Sequence, residues 1–409
     1  MKAKWVAGLT TALVLCPGVA ARASTTSVFY DGQRNLAADP QPFVALTPTG
    51  FTSDNTVVGV RMMPSLTTGG HNVAMGQAAL QDVTTGTGNV AIGFTAAFHG
   101  NTSGVTAIGD GAAANTEAND TTAVGSLAAI SNTTGAGNTA VGSHALDSNE
   151  TGNENTALGL EALFFNTGNF NLGAGFKALR ANTDGASNVA LGREALLSNT
   201  SGSQNTATGV NALLTNTTGG YNQALGYQAL LFNTTGMRNS AVGGNALLNN
   251  TNGGDNVGIG DRALFTNTVG DHNVALGTNA LTALASGNDN TAVGYLALSR
   301  TKGARNIAIG NQAGRNLTTG SDNIDIGNLG VAAGETRTIR IGTQGTQTAT
   351  YLAGVTGTSV VGPVKQVVIN ANGRLGTTST GASMATLLDR LDRQQRQIDT
   401  LQRQLARMR

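Results

Sequence analysis

The chain has 409 residues, of which 57 are Gly and 41 Asn, while only 11% are charged and 4% aromatic. So little charge beside so many Val, Ile and Leu excludes a disordered tail, and six Pro exclude collagen. The formal net charge of +1 has its basic excess at the two ends, leaving 15 basic against 20 acidic residues in the middle, which excludes a nucleic-acid surface built on a basic stripe.

Residues 1–23 read as a secretory signal. Lys2 and Lys4 form the charged start, Val6 to Ala20 is apolar, and Ala21-Arg22-Ala23 fits the small-x-small cleavage rule. The run is short and interrupted by Pro17, unlike a membrane-spanning helix. Cys16 is the only cysteine, so cleavage leaves no disulfide framework and no Cys metal site. Residues 24–54, with Pro40, Pro42 and Pro48, form a leader or a cap. Phe43, Val44 and Leu46 favour a cap over an open solenoid edge.

From 55 to 330 a short motif, Asn-(Thr/Val)-Ala-(Val/Ile/Leu)-Gly, recurs every 16 or 17 residues. Its Gly falls at 17 positions from Gly59 to Gly327. Three residues after each Gly from Gly76 to Gly310 stands Ala, usually followed by Leu, as at Leu146, Leu163 and Leu213. Seven after the Gly is Asn in nine consecutive repeats, Asn132 to Asn267, and a second Gly follows, as at Gly202 and Gly219. Seventeen residues are too few for two packed helices. They suit one rung of a parallel β-solenoid, read as strand, turn, strand, turn.

Within the motif, Asn and Ala share one strand face and the residue before Gly lies on the other. The pre-Gly column (Ile92, Ile108, Val124, Val141, Leu158, Leu191, Leu225, Val242) is bulky and is expected to face the core. The small Ala face would then let a second chain approach. The motif Gly supplies a positive-φ corner, and stacked Asn columns can bond along a rod of roughly 80 Å.

Residues 331–382 leave the register and predict a small β neck. Thr336 to Gly342 and Val364 to Ile369 alternate, and Asn370-Ala371-Asn372-Gly373 is a turn between strand-like runs. Residues 383–409 predict a helix. Met384, Leu387, Leu391, Gln394, Ile398, Leu401, Leu405 and Met408 recur at spacings of 3 and 4, an a/d seam for a coiled coil. A helix of this length is marginal alone. It associates with copies of itself or folds back on its own β region.

Repeats such as Asn89-Val90-Ala91-Ile92-Gly93, Asn138-Thr139-Ala140-Val141-Gly142 and Asn306-Ile307-Ala308-Ile309-Gly310, followed by such a seam, resemble the head of YadA-like trimeric adhesins. The resemblance covers roughly residues 55–330. It implies an all-β, left-handed parallel β-roll, three chains side by side, and binding to host matrix, a glycan or a cell surface. The rungs are longer than is usual in that family, and no membrane anchor of its own is expected. Ile339-Arg340-Ile341-Gly342-Thr343, Thr348 to Val355 and Gly373 to Thr377 resemble the segment preceding the chaperone domain of tail-spike-type proteins; no catalytic residue is carried over.

No catalytic, cofactor or metal site is expected. The chain lacks a His-Glu-x-x-His, a Cys pair and a Gly-x-Ser-x-Gly elbow. His71 and His272 share a column twelve rungs apart, too far for one metal within a chain. Gly173 to Ala178 mimics a dinucleotide fingerprint but is a repeat unit. Acidic residues such as Glu161, Glu194, Asp255 and Asp289 read as solvated loop residues. Phe164, Phe165, Phe170, Tyr221, Tyr227 and Phe232 cluster in the middle rungs as ligand-contact candidates. The function expected is a secreted or surface-exposed non-enzymatic trimeric fibre. The alternative is a stalk or tail-fibre-like spacer without its own ligand site. An ice-binding rod would need a flat strand face of paired Thr, which the motif lacks.

Overall fold

The computed structural model describes residues 28–30, 36–38, 54–332, 334–351, 367–377 and 384–407. The expected signal, residues 1–23, lies outside these residues, as do Phe43, Val44, Leu46 and Met408. The chain divides into two compact units, Met1–Ile341 and Gly342–Arg409.

In the first unit, strand Val28–Tyr30 pairs antiparallel with Leu36–Ala38, which pairs parallel with Thr56–Val58. Parallel three-residue strands then stack rung on rung to Ile339–Ile341. This is a parallel β-solenoid of about 17 rungs. Register is strict: Ala190 faces Ala207, which faces Ala224. The motif Gly turns each rung out of its strand. Gly209 has φ +136, and a Cβ there would lie 2.4 Å from the Gly226 carbonyl oxygen of the next rung. Only Gly meets both conditions, so the column is Gly throughout.

Two expectations are corrected. First, inside and outside are reversed. The Ala column is the core: Ala207 and its stack neighbours have 0% exposure, whereas Leu225 is 42% and Ile309 43% exposed. The reason is the width of the rung. At Gly173, which stands in the Ala column, an added Cβ would already be 3.2 Å from Leu163 Cγ. Through the middle rungs the interior takes Ala from the strand and Leu from the opposite wall; the Ala column admits a larger buried side chain only near its ends, at Val57 and Asp325. Val, Ile and Leu before the Gly are left outside.

Second, each rung carries one strand, not two. The opposite wall runs as turns whose amides still bond rung to rung, as in Leu213 N–H to Ala229 O at 3.0 Å and Thr215 N–H to Leu231 O at 3.1 Å. Asn211 and Leu213 both have positive φ, 59° and 53°. Left-handed φ costs a non-Gly residue roughly 1–2 kcal/mol. The Leu wall tolerates it because each Leu is fully buried and each rung repeats the geometry of the last.

Polar groups inside the core are ordered in two ladders, as the stacked Asn columns lead one to expect. In the motif column, Asn205 N–H and Nδ2 donate to Asn188 Oδ1 at 3.0 and 3.2 Å, and Nδ2 also donates to Gly219 O at 2.9 Å. In the second column, Asn216 Nδ2 donates to Asn199 Oδ1 at 2.7 Å and to Gly219 O at 2.9 Å. Both columns are fully buried. Each bond contributes about 1 kcal/mol net, but an unmade one in this interior costs about 1–3 kcal/mol.

In the second unit, Val367–Ile369 and Leu375–Thr377 form an antiparallel hairpin around the Asn370–Gly373 turn. Met384–Arg407 is an α-helix. The alternating run ending at Gly342, expected in the neck, instead supplies the last solenoid strand, Ile339–Ile341.

Candidate functional site

Because the strand's Ala face is inward, its other face is an outward strip one strand wide. Val141, Leu158, Leu191, Leu225, Val242 and Ile309 are exposed along it, with Thr208 among them, beside a second outward column that is polar at Thr139, Thr156, Thr206, Gln223 and Ser240. On some rungs the residue after the Gly adds apolar surface round the corner, as with Leu160, Phe176, Val210, Tyr227 and Tyr295, all exposed, while on others it is polar, as with Ser143, Arg193 and Asp261. The described residues cover neither.

The six aromatic candidates do not form one patch. Phe164 and Phe165 stand on the turn wall, edge to face, with ring centroids 4.6 Å apart. The Arg180 guanidinium lies 5.2 and 5.3 Å from these two rings. Its Nε donates to Glu161 Oε2 at 2.5 Å, and this bond holds the Glu161 carboxyl below its usual pKa. Phe232 is in the same column as Phe165 but four rungs on. Phe170 and Tyr221 occupy the corner five residues before the Gly, and Tyr227 the corner just after it.

The column five before the Gly carries an arrangement that reading acidic residues singly did not reveal. Arg238, Asp255, His272, Asp289, Arg305 and Asp322 stand on successive rungs. Arg238 Nε donates to Asp255 Oδ1 at 2.6 Å, and Arg305 Nε to Asp322 Oδ1 at 2.6 Å. These bonds hold both carboxyls below the ordinary range. His272 lies between Asp255 and Asp289, at 4.0 and 3.7 Å. The ladder is exposed, so solvent screens its pairs and they add little to stability. Comparing residues 16 or 17 apart at one offset would have found it. The remaining histidines also sit beside aspartates: His71 by Asp54, His99 by Asp82 and His144 by Asp147. Among the described residues no group of three His, Cys, Asp or Glu is placed to hold a metal ion.

At the last rungs the Ala column ends in charge. Asp325 pairs with Ala308 on one side and Arg340 on the other. It is 2% exposed, and its Oδ2 has no hydrogen-bond partner. Burial raises its pKa to about 6, with Glu335 adding to the rise and Arg340 opposing it. Arg340 is itself held by Glu335, Nη2 to Oε1 at 2.5 Å.

On the helix, Leu391, Ile398, Leu401 and Leu405 of the expected seam are exposed in the single chain, and Gln394 lies among them on the same exposed surface. Met384 and Leu387 lie in its first turn. Among the described residues no helix is long and apolar enough to cross a membrane.

No family model, no curated protein and no solved structure matches the chain.

Proposed function

We propose that this chain is an exported, non-enzymatic fibre protein, adhesin-like, that binds a host, matrix or cell surface as a homotrimer of left-handed rolls joined by a C-terminal coiled coil. The observation that carries the reading is the outward apolar strip of the strands. Parallel sheets are normally covered on both faces. Contiguous apolar surface on a soluble monomer rarely exceeds a few hundred Å². A strip running rung after rung calls for a straight, regular partner, and further copies of the same rod fit it in register. The exposed seam of Leu391, Ile398, Leu401 and Leu405 gives the same copies a second contact. Threefold assembly comes from the family resemblance of the repeats. Three linked rods would present any surface ligand site three times, raising avidity without new contacts.

The scatter of the aromatic candidates over three sides of the rung favours a second reading, a spacer stalk without its own ligand site. The full secreted chain offered to matrix proteins, glycans and cells separates the two. The adhesive reading expects binding that drops when several whole central rungs are deleted. Binding unchanged by that deletion supports the stalk, and binding to nothing on the panel contradicts the adhesive reading.

A further inference from the structure

On the turn wall of the central rungs lies an open, shallow groove of about 610 Å³. One side is the column of Thr215, Phe232, Asn249 and Thr266; the other is Thr234, Thr251 and Thr268. No charged residue lines it. Phe232 is 44% exposed, with a threonine one rung below and an asparagine one rung above.

The donors of this groove are almost all spent. All seven backbone N–H groups bond to carbonyls of the next rung, from Thr215 to Leu231 at 3.1 Å through Thr268 to Ala285 at 2.9 Å. The hydroxyls do the same. Thr215 donates to Leu231 O at 2.8 Å, Thr234 to Thr251 O at 3.1 Å and Thr251 to Thr268 O at 2.9 Å. Thr266 donates to Thr282 O at 2.8 Å and Thr268 to Ala285 O at 2.9 Å. Asn249 Nδ2 donates to Phe265 O at 2.9 Å. What remains is a ring, a set of Thr methyls, hydroxyl lone pairs and the Asn249 Oδ1. The groove is therefore uncharged, rich in acceptors and poor in donors.

We infer that this groove is a subsite for a neutral saccharide, whose apolar ring face stacks on Phe232 and whose hydroxyls donate to the Thr oxygens and Asn249 Oδ1. A sugar suits it because it brings both an apolar C–H face and an excess of donors. An anionic ligand finds no cation and few donors here. A cation finds no carboxylate. Acceptors recur at every rung, about 4.8 Å, along the column of Thr234, Thr251 and Thr268, close to the length of one pyranose unit, so a linear oligosaccharide lies along the rod with one unit per rung. The inference rests on the surface-binding reading above and narrows it to one ligand class at one place.

The test is titration of the full chain with soluble neutral oligosaccharides, of the cello-, malto- and chito- series, against a sulfated oligosaccharide. Binding is expected for at least one neutral series and not for the sulfated one. Phe232→Ala weakens it roughly tenfold or more, as truncating an aromatic anchor does. Phe232→Trp keeps it, and Thr234→Val weakens it by removing an acceptor while keeping the shape. Phe165→Ala, in the same column four rungs away, leaves it unchanged. No binding to any neutral series, or equal binding by Phe232→Ala, overturns the inference. A chain that fails here but still binds matrix proteins or cells overturns the groove alone and leaves the fibre reading standing.

Discussion

The central rungs and the terminal rungs fill the same interior slot with different chemistry. Seven residues after the motif Gly, the centre carries nine buried asparagines from Asn132 to Asn267, while the rungs before them carry Leu66, Val83, Gly100 and Thr116 and those after them Leu284, Thr301 and Leu317, all fully buried except Gly100. The comparison teaches that the slot has no preference for polarity as such. An amide fits when the amide below offers Oδ1 and the glycine beside it offers a carbonyl, as at Asn216. Where the run stops, one group is orphaned: Asn267 Oδ1 has no partner, because Leu284 has no donor to give. A long ladder meets that cost once. Each interruption in its middle would meet it again.

Breaking the ladder in its middle is the largest effect expected. Asn199→Leu leaves Asn182 Oδ1 without its donor and Asn216 Nδ2 without one of its two acceptors. The expected loss is about 2–5 kcal/mol by denaturant unfolding. A loss of less than half a kcal/mol would mean that the ladder is incidental.

The charged end of the Ala column gives an intermediate effect that depends on pH. Asp325 has a folded-state pKa raised to about 6 from 3.8. An acid raised in this way destabilises the fold when ionised, so the penalty is full above pH 6 and fades as pH falls from 6 to 4. Asp325→Asn should therefore protect the amides of Ile324–Ile326 and Ile339–Ile341 against hydrogen exchange at pH 8, by roughly 1–2 kcal/mol. At pH 4 the variant and the parent should be equal. Protection that is the same at both pH values would show that Asp325 is not strained.

The smallest effect expected is the repair of the ladder's end. Leu284→Asn offers Asn267 Oδ1 a donor and sets its own Oδ1 below Thr301, whose hydroxyl is the next donor in the column, but gives up the burial of a leucine, so stability by denaturant unfolding should change by less than about 1 kcal/mol. The same exchange of Leu and Asn, costly at position 199 and nearly neutral at 284, is the sharpest form of the comparison.

The sequence carried the architecture in its columns. Gly209, Ala212, Leu213 and Asn216 repeat at fixed offsets because each stands on a copy of itself, and a residue that must fit its own copy varies little. The direction of the strand faces was misread at pairs such as Ala91 and Ile92. Size usually marks the core, but here the rung is so narrow that Leu163 already meets the Ala column, and the larger residue is forced outward. The missing second strand was hidden for a similar reason: positive φ at Leu213 carries no residue signal of the kind Gly or Asn gives. The aromatic candidates were grouped by number along the chain, whereas their place on the rung is set by offset from the Gly. That offset separates Phe232 from Tyr227 and joins it to Thr215 and Asn249.

The claim that the outward strip of Val141, Leu158, Leu191 and Leu225 is covered by further copies of the chain is tested most directly by the solution mass of the chain under native conditions. Light scattering should return three times the mass of one chain across a wide dilution range. A single-chain mass would contradict the account, leaving an apolar strip and a helical seam that face water.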